Sequence, residues 1–258
     1  VILVMVAVFV LLGRFANSFL PPPQPRPAPP TDYRHRAAAA AAFLAYAVEL
    51  TPDPVRRAAR ALDAALSKLD AGDPDSAARL LAAAAGTEDE LLSARADLLR
   101  AKIAFATQRG RDAPPLLLAA AERLKPLEPA LARDTYLEAL MAAMIVGRLY
   151  AAEHVSAAAI AAAARHAPPP SGPPRAADLF LDGIVLRLTE GHATAAPLLK
   201  RAISQYLEED EAGTADPRLH DITLRVLLDI FEQDTYSSLY ARQVELLRAA
   251  GELTVLPA

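Results

Sequence analysis

Ala71–Leu81 reads AGDPDSAARLL, and this stretch decides the fold. Gly72 closes one helix-like stretch, Asp73-Pro74 opens the next, and eight positions after the glycine stands a large aliphatic residue, Leu80. Asp is a good helix cap and Pro suits the first helical turn, so the segment predicts a junction between two helices. The same spacing returns at Gly110 to Leu118, Gly147 to Val155 and Gly191 to Leu199, with Ala77, Pro115, Ala152 and Ala196 five positions after each glycine. Successive glycines lie 38, 37 and 44 residues apart. That period is the size of a two-helix repeat, in which neither helix buries its apolar face until the next unit stacks on it. Gly72, Gly110, Gly147 and Gly191 are therefore read as structural turns. The fold class is all-α, a tetratricopeptide-like helical-repeat solenoid of antiparallel helix pairs.

Helices are expected on both sides of these turns. The first spans about Ala37–Leu50 and is stopped by Thr51-Pro52-Asp53-Pro54, and the second spans Pro54–Ala71. A third runs from Asp73-Pro74 to about Gly86. Thr87 followed by Glu90 then predicts a capping box for a fourth, which reaches about Gln108 with Leu92, Leu99, Ile103 and Ala106 on one stripe. A fifth opens at Ala113-Pro114-Pro115, and Pro126 and Pro129 separate it from a sixth carrying Leu137, Leu140, Met141, Met144, Ile145 and Leu149. The alanine block Ala157–Arg165 is the seventh. The proline-rich segment 167–174 is a loop and a joint between two halves of the repeat domain. Further helices are expected at about 175–190, 193–209, 218–233 and 235–250; in the second of these Leu198, Leu199, Ala202, Ile203, Tyr206 and Leu207 form the clearest amphipathic stripe.

Composition agrees. Alanine makes up roughly a quarter of the 258 residues, leucine follows, and both are strong helix formers. Alanine also lets helix axes approach closely. With 53% hydrophobic residues but 5% aromatic and no Trp, the core must be aliphatic and built from many small contacts. The net charge is −4 with both signs interspersed, so no basic stripe offers a nucleic-acid footprint. The absence of Cys excludes disulfides, thiolate metal sites and a Cys nucleophile, and fits a cytoplasmic setting.

The N-terminus is a different kind of sequence. Residues 1–20 begin VILVMVAVFVLL, an apolar run of twelve residues or about 18 Å of helix, short of the roughly 20 residues that cross a bilayer. Continuing through Phe15, Phe19 and Leu20 reaches that length at the cost of Arg14. Three readings stay open: an anchor stump, a degenerate signal, or spurious sequence upstream of the repeats. Every flanking positive charge lies after the run, so an anchor would leave the repeats in the cytosol. Residues 21–36 form a Pro-rich linker, and 37–258 the repeat domain.

The sequence lacks the motifs of common catalytic sites. It contains no G-x-x-x-x-G-K-[ST], no G-x-G-x-x-G, no G-x-S-x-G and no H-E-x-x-H. The histidines His35, His154, His166, His192 and His220 are scattered, with no His three or four residues from another. Glu208-Glu209-Asp210-Glu211 lacks the alternating ligands of a calcium loop and reads as a solvated helix end. Tyr236 and Tyr240 are candidates for core or groove-edge positions. No catalytic residue, cofactor or metal ligand is expected.

Four stretches resemble the central helical region of the large ATP-binding LuxR-type transcriptional regulators of actinobacteria, also called the MalT-like group. They are Ala38–Pro54, Arg100–Leu140, Ala177–Leu207 and Ala241–Pro257; the second, RAKIAFATQRGRDAPPLLLAAAERLKPLEPALARDTYLEAL, is the most specific. Together they span most of residues 37–258 in the family's order. In that family a P-loop module precedes the repeats and a helix-turn-helix DNA-binding domain follows them. The resemblance implies that the repeats sense a small inducer or a protein partner and relay the event. Neither flanking module is present here, so no ATP-binding or base-reading residue carries over. The expectation is a non-enzymatic scaffold without direct nucleic-acid binding. The alternative is a membrane-tethered cytosolic adaptor, anchored through residues 1–20.

Overall fold

Asp53 and Asp73 each accept a backbone N–H three residues on, from Arg56 at 2.7 Å and Ser76 at 3.0 Å, and each is followed by a proline at the first helical turn. Two helices start there: α1 (Pro54–Asp70) and α2 (Pro74–Ala83). The computed structural model describes residues 43–44, 46–84, 86–109, 112–147, 156–216 and 218–249. The apolar segment 1–20, the linker 21–36, Ala37 and Gly110 lie outside them. The remaining helices are α3 (Glu90–Ala104), α4 (Ala113–Leu124), α5 (Pro129–Gly147), α6 (Ala157–Ala164), α7 (Ala176–Glu190), α8 (His192–Glu211), α9 (Leu219–Asp229) and α10 (Gln233–Ala249). Among the described residues there is no strand, and no helix is long and apolar enough to cross a membrane.

Helices adjacent in sequence pack together throughout α1 to α9, and α1 also meets α3 while α5 meets α7. α3 explains how this stacking is written in sequence. Ala94, Leu98 and Ala101 lie on one face, in the larger core with α4 to α9; Leu92, Ala96, Leu99 and Ile103 lie on another, in a smaller core with α1 and α2. Each set follows a three- or four-residue period, so a single helix serves two neighbours. α5 is buried on nearly all sides, through Ala132, Tyr136, Leu137, Ala139, Leu140 and Ala143. Its all-round burial makes it the centre of the larger core. The short alanine helix α6 packs on both α5 and α7, with Ile160, Ala161 and Ala164 inward.

Gly72 takes φ 81° and closes α1 with two reversed bonds, its own N–H to Leu69 O and that of Asp73 to Lys68 O, both 2.9 Å. This is the glycine-closed helix end that satisfies otherwise orphaned carbonyls. Gly191 is the lone residue between α7 and α8, at φ 97° and ψ 175°, a conformation open in practice only to glycine. Gly147 is the last residue of α5.

Three local expectations are corrected. The cap of α3 is Asp89, which accepts from Leu92 N at 2.9 Å, rather than Thr87; the carboxylate sits nearer the helix and Thr87 instead accepts from Asp89 N. Ala106 is exposed, because residues 105–109 form a π turn whose extra residue per turn rotates it off the stripe of Leu99 and Ile103. The helix expected over 218–233 ends at Asp229. There Phe231 adopts φ 60° and Glu232 N bonds back to Leu227 O at 3.0 Å, closing the helix as a glycine would.

Candidate functional site

Six positions of α5 fall on one stripe: Asp134, Leu137, Glu138, Met141, Ala142 and Ile145. Steps of three and four residues place them on a single face. That face forms the floor of a groove of about 700 Å³. Leu66, Leu69 and Asp70 of α1 wall it, with Lys102 of α3, Phe105 of the π turn and Leu117 of α4. Ala177 of α7 and Asp216, Arg218, Leu219, Asp221 and Ile222 at the start of α9 complete it. The apolar part of the lining is only partly shielded: Leu66 is 41% exposed and Phe105 and Ile145 are each 42% exposed.

Charge is organised around Glu138. Its Oε1 accepts from Lys102 Nζ at 2.7 Å and from Arg218 Nη1 at 2.9 Å, although Arg218 is 80 residues away in sequence. Arg218 also holds Asp216, Nη2 to Oδ2 at 2.7 Å. Burial opposes ionisation of Asp216, but the hydrogen bonds from the Arg218 side chain and backbone outweigh it and keep its pKa below the usual carboxylate range. The Arg218 guanidinium is pushed up in turn, first by its bond to Asp216 and then by the nearby Glu138 carboxylate.

A second network ties the floor helix to α7. Arg133 is 4% exposed and Asp178 3% exposed. Arg133 donates to Asp178 Oδ1 and Asp182 Oδ1, both at 2.7 Å, to Pro168 O at 3.0 Å and to Asp178 O at 3.1 Å. Asp178 Oδ2 accepts from Arg175 Nε at 3.0 Å, and Arg175 Nη2 reaches Asp134 at 2.7 Å. Asp178 is desolvated, yet Arg175 and Arg133 together hold its pKa below the ordinary value. The Pro-rich loop is thus fastened to α5 by Arg133. Through Asp134 the network reaches the edge of the groove.

Neither Gly72 nor Gly191 lines this groove. Tyr236 and Tyr240 stack on each other, with ring centroids 5.9 Å apart and planes 9° apart, and do not line it either. The acidic run at the end of α8 is engaged with its neighbours: Glu209 accepts from Ala176 N at 3.0 Å at the start of α7, and Asp210 pairs with Arg242. The groove went unsingled in the sequence reading, though a signal was there. Asp134 and Glu138 interrupt the apolar stripe of α5 at the spacing of Leu137, Met141 and Ile145, so two carboxylates share a face with the core. Chemically, the groove is able to hold a ligand by apolar contact and by ion pairing. Among the described residues its lining includes no His, Ser, Thr or Tyr.

No family model, curated protein or solved structure matches the chain.

Proposed function

We propose that the chain is a non-enzymatic helical-repeat scaffold, tetratricopeptide-like in its pairing, whose groove receives a ligand and relays its presence. The observation that carries this reading is the groove itself, lined mainly by the alternate helices α1, α3, α5, α7 and α9, with Leu117 of α4 and Phe105 of the π turn. Stacked helix pairs characteristically offer their extended concave surfaces to partners. The glycine period and the contacts of α1 with α3 and α5 with α7 support the repeat reading. The four stretches resembling LuxR-type ATP-binding regulators support a role akin to that family's sensor and relay region. A ligand bridging α1, α5 and α9 would fix the relative setting of three helices that are far apart in sequence. That is the physical form a relay would take in this fold.

The test is selection of a random peptide display library on the full chain, with counter-selection on a Leu66→Ser/Ile145→Ser variant. Both residues are exposed enough for the variant to fold, which circular dichroism verifies. Binders lost on the variant are the expected result. If the chain enriches nothing above an unrelated folded control, or if its binders ignore both substitutions, the groove is not a binding site.

A further inference from the structure

Resting on that reading, we infer that the occupant is a basic amphipathic helix of about three turns. The lining of the groove contains five carboxylates, Asp70, Asp134, Glu138, Asp216 and Asp221, against two cations, Lys102 and Arg218. Both cations are already committed, to Glu138 and Asp216, and Asp134 is held from outside the lining by Arg175. Asp70 and Asp221 pair with no cation among the described residues and are exposed at the rim. The unbalanced charge of the site is therefore negative, and it is complementary to Lys or Arg side chains.

The floor is polarised along α5. Asp134 and Glu138 stand in its first half; Met141, Ala142 and Ile145 stand in its second, with Phe105 one turn beyond Lys102 on the facing wall. From Asp134 to Ile145 is eleven residues, or about 16 Å of helix. Met141 and Ile145 stand four residues apart above the buried Leu137, a ridge that interdigitates with a helix carrying apolar side chains at the same spacing. A small molecule seated on Leu66, Phe105 and Ile145 would keep much of its surface in water, since the walls leave these side chains about two-fifths exposed. A helix covers them with one face and shows its other face to solvent. Such an occupant would present an apolar stripe toward Met141 and Ile145, with basic residues toward Asp221 and Asp70.

Fluorescence anisotropy of labelled twelve-residue peptides, titrated with the full chain, tests this. The probes are an amphipathic Leu/Lys helix, its twin with Glu for every Lys, and a scrambled Leu/Lys peptide. The Leu/Lys helix should bind, weaken by at least about threefold as salt screens the rim, and lose roughly two- to fivefold for each of Asp70→Asn and Asp221→Asn. Ile145→Ser should lose about tenfold, the effect of one uncovered aliphatic side chain. Equal binding of the Glu twin, still abolished by Ile145→Ser, would overturn the charge class while leaving the groove as a binding site. Binding of the Leu/Lys helix that ignores both Ile145→Ser and Leu66→Ser would overturn the groove reading as well. Self-association broken by Ile145→Ser would assign the groove to a second copy and overturn the peptide.

Discussion

Glycine in the middle of a helix needs a reason, because alanine there is worth about 1 kcal/mol more. Gly183 of α7 has one. A Cβ built on it would lie 2.6 Å from Leu199 Cδ2 and 3.1 Å from Leu199 Cγ of α8. Ordinary carbon contacts are about 3.5–4.0 Å, so Gly183→Ala forces an overlap of roughly 1 Å. Leu199 has no exposed surface, so its side chain must repack among buried neighbours to make room. Overpacking of this kind costs about 1–3 kcal/mol, against the gain of about 1 kcal/mol in helix propensity. The expected net is a loss of up to about 2 kcal/mol, with Tm lowered by about 2–4 °C per kcal/mol in a chain of this size. Urea unfolding followed by circular dichroism measures it. A second arm guards against coincidence. Leu199→Ala alone should lose about 2–5 kcal/mol to a cavity. In the double variant the new methyl occupies part of that cavity, so the loss should fall short of the sum by at least about 0.5 kcal/mol. If Gly183→Ala stabilises by the full propensity gain and is additive with Leu199→Ala, the two helices are not in close contact and the argument fails.

Two further predictions concern the ion pairs of Asp178 and Asp216. Arg133→Met leaves the buried Asp178 with Arg175 as its one cation and should cost about 1–3 kcal/mol, while Arg133→Met/Asp178→Leu recovers part of it because an apolar pair replaces the ion pair; a single-variant loss under about 0.5 kcal/mol in urea unfolding would show the pair is not buried. The folded-state pKa values of Asp178 and Asp216 are held low, so their stabilisation is present above the unfolded carboxylate value of about 3.9 and is lost as pH falls through the folded values. Tm should stay level from neutrality to about pH 5 and drop below about pH 4, and an acid limb in Asp178→Asn as steep as in the parent chain would contradict this assignment.

Helix positions are legible in this sequence because their signals are local. Asp53-Pro54 and Asp73-Pro74 carry cap and first turn within two residues, and Gly72 and Gly191 stand where positive φ is required. The signals fail where a residue does work usually given to another type. Phe231 takes a glycine's conformation at the end of α9, and no propensity rule marks it. Ala106 leaves its stripe because the π turn inserts a residue into a register that periodicity assumes is constant.

The groove is legible only in half, and the reason is distance along the chain. That Asp134 and Glu138 lie on the stripe of Met141 and Ile145 follows from helical geometry alone. That Glu138 is held by Lys102 and Arg218 does not, since these residues lie 36 and 80 positions away and meet it only after α3, α5 and α9 have stacked. The same stacking turns a weak charge balance into a directed one. Across the whole chain the excess is four negative charges among 58 ionised groups, which predicts no partner. In the groove five carboxylates face two cations; both cations are spoken for and Asp134 is held by Arg175, which leaves Asp70 and Asp221 beside the apolar floor. Asp70 and Asp221 are exposed at the rim, so each pair with a ligand's positive charge is worth about 0–1 kcal/mol, as for any surface pair, and the gain comes from meeting two of them beside one apolar floor. Net composition averages over the surface; recognition depends on which few residues the fold brings to one face.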